Sequence, residues 1–357
     1  MQNQDNSKTK VFVAMSGGVD SSVAALLLKQ QGFNITGVFM KNWSGDDYGL
    51  QADCPWETDQ KDVEAVCGQL DIPFMSFNFE KEYRDKVVNY FFSEIRAGRT
   101  PNPDIVCNKE IKFSLFLDKA ISMGADLIAT GHYARVTKQE NLYQLQKGVD
   151  ENKDQSYFLC QLTQEQLSKS LFPIGSYTKP EIRQIANDNK LLVANKPDSQ
   201  GICFIGEINV KEFLRKEIKQ QKGVIKDFDT GKILGEHDGV FFYTIGQREG
   251  LKIGGAKVPY FVAYKDVPNN ELLVAMGKDH PALFAKDVYF ENINYISETI
   301  TPESHIQAVI RYRQKAASGT FINNEHFRFD SPQRGIASGQ SIVFYDQQTC
   351  LGSGIIK

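Results

Sequence analysis

Apolar positions in the first part of the chain switch between two rhythms. Val11 to Met15 is a short, nearly unbroken apolar run, and Ile35 to Met40, Phe74 to Phe79 and Asp126 to Thr130 read as further strands. Between these runs, apolar residues return every three or four positions. Val19, Val23, Leu26 and Leu27 share one helical face, as do Val63, Val66, Cys67 and Leu70 within Thr58 to Leu70. Glu80 to Arg96 and Lys112 to Met123 read as helices too. This alternation predicts a parallel sheet covered on both faces, an α/β fold. Ligands then sit beyond the carboxyl ends of the strands. Three such ends carry Ser16-Gly17-Gly18, Met40 and Gly131-His132, so one pocket can collect all three.

Tyr133 to Lys147 reads as a hairpin added to this sheet domain. A helix with Ile182, Ile185 and Ala186 follows, and Pro180 suits its first turn. The pattern divides the chain into a sheet domain over 1–208, a small central domain over 209–272 and a third domain over 273–357. The central part opens with a short basic helix, Val210 to Gln221, and continues as glycine-punctuated short strands. From about Leu272 onward strands and turns replace helical spacing, which predicts a C-terminal β-barrel or sandwich.

With 357 residues the chain is long enough for several cores. Its net charge of −3 gives no whole-molecule field that would draw a nucleic acid. Two stretches differ locally. Residues 209–232 hold seven lysines and arginines against four acids, and residues 301–357 hold six against four. Each excess alone is ordinary for a solvated face. No apolar run has the length of a membrane span, and Met1 to Lys10 lacks the apolar core of a signal peptide. The chain therefore reads as cytoplasmic, without a membrane partner. Six cysteines in that setting point to buried, catalytic or metal-bound thiols more than to structural disulfides. None forms a Cys-x-x-Cys pair, which argues against structural zinc.

The densest chemistry follows the first strand. Ser16-Gly17-Gly18-Val19-Asp20-Ser21-Ser22 joins a buried strand to a helix start. Glycines there let backbone N–H groups approach a phosphate, and the helix N-terminus adds partial positive charge. The three serines add hydroxyls, and Asp20 is placed to hold a magnesium ion on bound phosphates. The pattern is neither a Walker loop nor a dinucleotide fingerprint. It resembles the pyrophosphate loop (PP-loop) of enzymes that split ATP into AMP and pyrophosphate.

Two cysteine motifs come next. In Arg99-Thr-Pro-Asn-Pro-Asp-Ile-Val-Cys107-Asn, two prolines disfavour helix until after Cys107. Asn108 would cap the following helix, leaving Cys107 near a helix N-terminus with Lys109 and Lys112 close by. Those neighbours favour the thiolate, and Asp104 is in place to accept or deliver a proton. Cys107 taken alone is a buried hydrophobe about as often as a nucleophile. Cys203, in Asp198-Ser-Gln-Gly-Ile-Cys203-Phe-Ile-Gly206, lies in a polar loop. Two such thiols beside an ATP-splitting loop suggest sulfur transfer, one carrying a persulfide and the other resolving it. Two unrelated thiols fit the spacing equally well.

These motifs, with Gly131-His132-Tyr133-Ala134, Lys153-Asp154-Gln155-Ser156-Tyr157 and Arg311-Tyr312-Arg313, resemble in order the tRNA-specific 2-thiouridylases. The likeness runs from residue 11 to the C-terminus. It implies a PP-loop domain of the adenine nucleotide alpha hydrolase-like kind, a small central domain and a C-terminal β-barrel. It implies an ATP-dependent sulfurtransferase acting on the wobble uridine of tRNAs for lysine, glutamate and glutamine. An adenylated uridine and a cysteine persulfide would be the intermediates. Cys203 would carry the persulfide, Cys107 would be its partner and Asp104 the acid/base group, with Asn102 and Pro103 placing the base. Ala14, Met15, Ser16, Gly17, Gly18, Val19, Asp20 and Ser21 would surround the phosphates of ATP with its magnesium, and Met40 and Gly131 the adenosine. His132, Lys153, Asp154, Gln155, Arg311, Tyr312 and Gln340 would meet tRNA. Tyr312 would offer a stacking face, although on pattern alone Arg311-Tyr312-Arg313 reads as an exposed barrel strand. A persulfide donor, a cysteine desulfurase or a sulfur relay protein, would be the other partner. Two other readings keep some of these features: an amidating ligase or lysidine-type tRNA enzyme, and a nucleotide-responsive RNA-binding protein without catalysis.

Overall fold

The computed structural model describes residues 5–44, 56–198, 210–255 and 258–357. Cys203 and its loop lie outside the described residues. Strand β1 (Lys10–Met15) is flanked by α1 (Val19–Gln30), β2 (Asn34–Lys41), α2 (Trp56–Gln69) and β3 (Phe74–Asn78). Two broken helical runs follow. The first is α3 (Glu80–Tyr83) and α4 (Asn89–Arg96), joined by a π-helical turn at Arg84–Val88. The second is α5 (Pro103–Cys107) and α6 (Phe116–Ser122), joined by a π-helical stretch at Asn108–Leu115. Then come β4 (Leu127–Thr130), the hairpin β5 (Ala134–Gln139) and β6 (Leu142–Lys147), α7 (Gln164–Ser168), β7 (Ser170–Leu171) and α8 (Lys179–Asp188).

The first sheet is parallel, in the order β3-β2-β1-β4-β7. Strand β1 is apolar throughout because both its faces are covered. Phe12 and Ala14 pack in one layer with Val38 and Met40, whereas Val11, Val13 and Met15 pack in the other with Val19 and Val23. The chain leaves β1 toward β2 on one side and later returns to β4 on the other. That makes β1/β4 the switch point, beyond which ligands bind in open sheets of this kind.

The central domain starts with α9 (Val210–Glu217), followed by β8 (Gly223–Asp227), β9 (Ile233–His237), β10 (Tyr260–Asp266) and β11 (Glu271–Met276). Its sheet runs β10-β11-β8-β9. Because β11 belongs to this sheet, the central domain continues past the expected boundary at residue 272. The third domain holds β12 (Phe284–Tyr295), β13 (Ser304–Val309), β14 (Ala317–Asn323), β15 (His326–Arg334), β16 (Ser341–Asp346) and β17 (Thr349–Ile356). They run β12-β15-β14-β13-β16-β17, and β17 pairs back onto β12, so the sheet closes into a barrel. Closure leaves no free edge within the ring.

The β5–β6 hairpin departs from expectation. It joins the barrel, not the parallel sheet, with Leu145 and Gln146 of β6 paired to Cys350 and Thr349 of β17. Further bonds tie the two domains together. Tyr157 donates to the Ser341 carbonyl at 3.0 Å, and Gln340 Nε2 donates to the Thr100 carbonyl at 2.8 Å.

Candidate functional site

The loop after β1 is held from several sides. Gly17 has φ +75°, and a Cβ there would lie 2.7 Å from the Asp59 carbonyl oxygen. Both facts demand glycine. Gly131, at the end of β4, leans on the start of α1. A Cβ there would sit 2.6 Å from Ser21 N. The structure therefore brings the Ser16-Gly17-Gly18 turn and Gly131 together at the switch point. Ser22 donates its hydroxyl to the Gly18 carbonyl at 2.9 Å, and Ser21 makes a longer bond of 3.3 Å to the same oxygen. Of the three serines only Ser16 is exposed.

Asp20 is paired rather than free. Lys179 Nζ donates to its two oxygens at 2.8 and 2.9 Å, and the Tyr133 hydroxyl donates at 2.8 Å. Lys179 also reaches Asp198 at 2.6 Å. Asp198 in turn accepts from Lys153 at 2.7 Å and Arg183 at 3.0 Å. Burial by itself would raise the Asp198 pKa. The hydrogen bonds from Lys153 and Lys179 outweigh it and bring the carboxyl down to about 2. Burial, with the negative charge of Asp20, pushes the Tyr133 hydroxyl well above its ordinary range. A second lysine, Lys196, bridges Asp59 and Asp62 at 2.6 Å each, fixing the backbone against which Gly17 rests.

This network changes the expectation for magnesium. Lys179 and Tyr133 reach both Asp20 oxygens, so a magnesium ion there would share the carboxylate with Lys179. Sequence reasoning missed Lys179. Its local signal is a helix start, Thr178-Lys-Pro-Glu181, with a capping box. Nothing local says that Lys179 faces Asp20, 159 positions earlier.

The Cys107 motif also folds differently from expectation. Asn102, not Asn108, is the N-cap: its Oδ1 accepts from the N–H groups of Asp104 (3.1 Å) and Ile105 (3.3 Å). Pro103 occupies the first helical position, where a missing N–H costs nothing. Helix therefore begins before Cys107 and places it at the last residue of α5, wholly buried in the apolar core. Asn108 lies inside the helical run, and its Nδ2 donates to the Phe158 carbonyl. Asp104 is half-buried on the same short helix. Along another face of α5, Asn102, Ile105, Val106 and Lys109 line a cavity of about 580 Å³ against the barrel.

Several residues expected to meet tRNA are internal supports here. His132 is buried, with Nδ1 2.8 Å from Thr130 Oγ1. Burial, aided by the positive charge of Lys112, holds its pKa well below the usual value, so the ring is neutral. Asp154 accepts from the N–H groups of Gly148 and Ser156, and Gln155 accepts from Tyr133 N. Gln340 steadies the Thr100 end of the cysteine motif.

Arg311-Tyr312-Arg313 is a turn after β13, not a barrel strand, and Arg313 has φ +63°. Both arginines are exposed. Tyr312 packs on Phe158 with ring centroids 4.3 Å apart, and Arg313 lies 5.2 Å from the Tyr312 ring. With Gln314 and Arg334 this turn lines a second cavity of about 290 Å³. Among the described residues, no cluster of side chains suits a metal ion and no helix is long and apolar enough to cross a membrane.

Comparison with known proteins gives matches along the whole chain. Residues 9–207 match a family described as tRNA methyl transferase HUP domain, 211–276 its PRC-barrel domain and 285–356 an aminomethyltransferase beta-barrel domain. A tRNA-specific 2-thiouridylase of Geobacillus kaustophilus is 52% identical over 98% of this chain and 95% of its own. One from Alkaliphilus oremlandii is 51% identical over 98% and 97%. The methyl transferase wording of the family descriptions and the thiouridylase names differ. The full-length identities carry more weight, because they span every motif described above. Among solved structures, a 4-thiouridine synthetase–RNA complex with bound ATP aligns with 58% of this chain and 50% of that one. At 15% identity and a TM-score of 0.34 it is too remote to bear on the site.

Proposed function

Because the chain belongs to the tRNA-specific 2-thiouridylase family, we propose that it thiolates the wobble uridine of tRNA at C2, using ATP and a cysteine persulfide. Lysine, glutamate and glutamine tRNAs are the proposed substrates. The observation that supports this most directly is the switch point at which the Ser16-Gly17-Gly18 turn and Gly131 converge on the start of α1. Backbone N–H groups and a helix N-terminus are suited to the phosphates of ATP. A carbonyl oxygen leaves poorly. Attack by uridine O2 on the α-phosphate, with loss of pyrophosphate and of the N3 proton to a base, turns it into a good leaving group. The proton returns to N3 when the thiolated base is released. Charge on the departing phosphates is met by fixed dipoles.

Sulfur then enters. The terminal sulfur of a Cys203 persulfide attacks C2 and AMP leaves. The Cys107 thiolate attacks the Cys203 sulfur, breaking the S–S bond to the base, releasing 2-thiouridine and leaving a Cys107–Cys203 disulfide. A reductant and a persulfide-donor protein restore the starting state. Cys107 is buried as the chain stands, so this reading requires the base to open the layer above it. Asp104 serves as acid/base group, and Asn102 and Pro103, at the cap of the same helix, place the base. Asp20 holds Lys179 in place beside the phosphate loop. Magnesium would enter with ATP, and Asp20, beside the phosphate loop, is the residue that would share it with Lys179.

The test is mass spectrometry of tRNA nucleosides after incubation with ATP and a persulfide source, using wild type and Cys203→Ser. Wild type should form 2-thiouridine. Cys203→Ser should form none, yet release pyrophosphate and accumulate adenylated tRNA. Absence of 2-thiouridine from the wild-type reaction would overturn the reading.

A further inference from the structure

Three arginines line the cavity of about 290 Å³ at the turn after β13. Arg311, Tyr312, Arg313 and Gln314 come from the turn itself, and Arg334 comes from the end of β15. None of its described lining residues is acidic. Elsewhere Arg96, Arg99, Arg183, Arg215 and Arg328 each pair with a carboxylate. Arg311, Arg313 and Arg334 have no carboxylate partner among the described residues.

The cavity is held in shape from both sides of Arg334. Arg311 Nη2 donates to the Gly335 carbonyl at 3.1 Å, and Gln314 Nε2 donates to Gln333 Oε1 at 2.9 Å. Gly335 has φ +71°, and a Cβ there would come within 3.0 Å of Arg311 Nη2, so glycine admits the approach. Arg334 itself is half-buried. Its guanidinium carbon lies 4.7 Å from the centre of the Phe261 ring of β10, and its Nε donates to the Lys278 carbonyl at 3.2 Å. Its Nη2 is buried with no hydrogen-bond partner. A charge so placed, without a carboxylate beside it, is costly until an anion completes it.

We propose that Arg334, together with Arg311 and Gln314, holds one phosphate of the RNA backbone at the seam between the barrel and the central domain. This inference rests on the reading of function given above. Arg334 is not among the residues that the sequence places at tRNA. Guanidinium forks match the oxygens of a phosphate. Arg311 and Arg334 line one cavity and are joined through Gly335, so a single phosphate meets both. Arg311 and Arg313 are exposed, which leaves room for a chain to enter and leave. Free pyrophosphate offers the same oxygens, and the test separates the two sources.

The test uses Arg334→Met, which keeps an apolar stem over Phe261 and removes the charge. Binding of tRNA is measured across a salt series, and binding of pyrophosphate beside it. Affinity for tRNA should fall about 3- to 10-fold, and the slope of log affinity against log salt should lessen by about one unit. Combining Arg334→Met with Arg311→Ala should lessen the slope by about one unit in total, because the same phosphate is lost. A loss of about two units would mean separate phosphates and overturn the shared site. A series of anticodon stem-loop RNAs, each with one neutral methylphosphonate linkage, gives the second readout. One linkage should weaken binding to wild type and leave Arg334→Met unaffected, which a mere support between domains would not produce. Unchanged tRNA affinity, or the same response of both proteins to every linkage, would overturn the proposal. So would lost pyrophosphate binding with tRNA affinity retained, which would assign the cavity to a free anion. A wild type that binds no tRNA would instead overturn the underlying reading of function.

Discussion

The loop at Ser16 to Asp20 and the turn at Arg311 to Arg313 are both suited to phosphate, and they are built in opposite ways. In the loop, nearly every polar group is held. Ser21 and Ser22 bond to the Gly18 carbonyl, Asp20 is paired to Lys179 and Tyr133, and Gly17, with Gly131 from the end of β4, admits backbone at distances no side chain tolerates. In the turn, two arginines stand in solvent, with one bond from Arg311 Nη2 to the Gly335 carbonyl. A fixed array of backbone dipoles suits one small anion at one geometry. Exposed guanidinium groups suit a polyanion that contributes many contacts, each weakened by salt. The first site should break when geometry changes and the second when charge changes.

Gly131→Ala should have the largest effect. Its Cβ would fall 2.6 Å from Ser21 N, against backbone that cannot rotate away. Such overpacking costs about 1–3 kcal/mol, and displacement of the loop should lower tRNA-dependent pyrophosphate release by about 100-fold. Thermal melting and a pyrophosphate assay read the two effects. Near-normal release would show that the loop does not need its contact with β4.

Lys179→Met should come next. It leaves Asp20 and Asp198 facing each other without their shared cation, although Asp198 keeps Lys153 and Arg183. The carboxylates are partly exposed, so solvent reduces the penalty to about 1–2 kcal/mol. Denaturant unfolding at neutral pH measures it. Stability equal to wild type would make the network incidental.

The same network predicts a pH dependence. Asp198 has a folded pKa of about 2, below the ordinary carboxylate value. Its contribution to stability is thus present above about pH 4 and lost as pH falls through 2. Asp198→Asn should lack this component, so its stability should fall less steeply than that of wild type from pH 4 to pH 2. Parallel decline in urea titrations of the two proteins would refute the assignment.

Arg311→Ala should have the smallest effect, and its signature is the salt dependence. tRNA affinity should fall modestly, and the slope of log affinity against log salt should lessen by about one unit. Melting temperature should stay close to wild type, because the side chain is exposed. An unchanged slope would remove the turn from the RNA surface.

The sequence by itself determined the strand runs, the glycine turn after β1, the parallel sheet and the order of the three domains. Those signals are local. A period of two or of 3.6, or a turn that only glycine permits, is complete within about ten residues. The start of α5 is local too, yet its motif admits two readings. Two prolines read as a barrier to helix, but Pro103 stands where helices accept proline and Asn102 supplies the cap. Only the tertiary structure decided the rest. Cys107 reads as a thiol near a helix N-terminus, yet the packing of α5 buries it. The β5–β6 hairpin reads as part of the first domain, yet its free edge is covered by β17 of the barrel. Lys179 reads as a helix-start residue, yet it neutralises an aspartate 159 positions away. Burial, edge pairing and charge pairing depend on which distant segments meet, and no local period or turn rule encodes that.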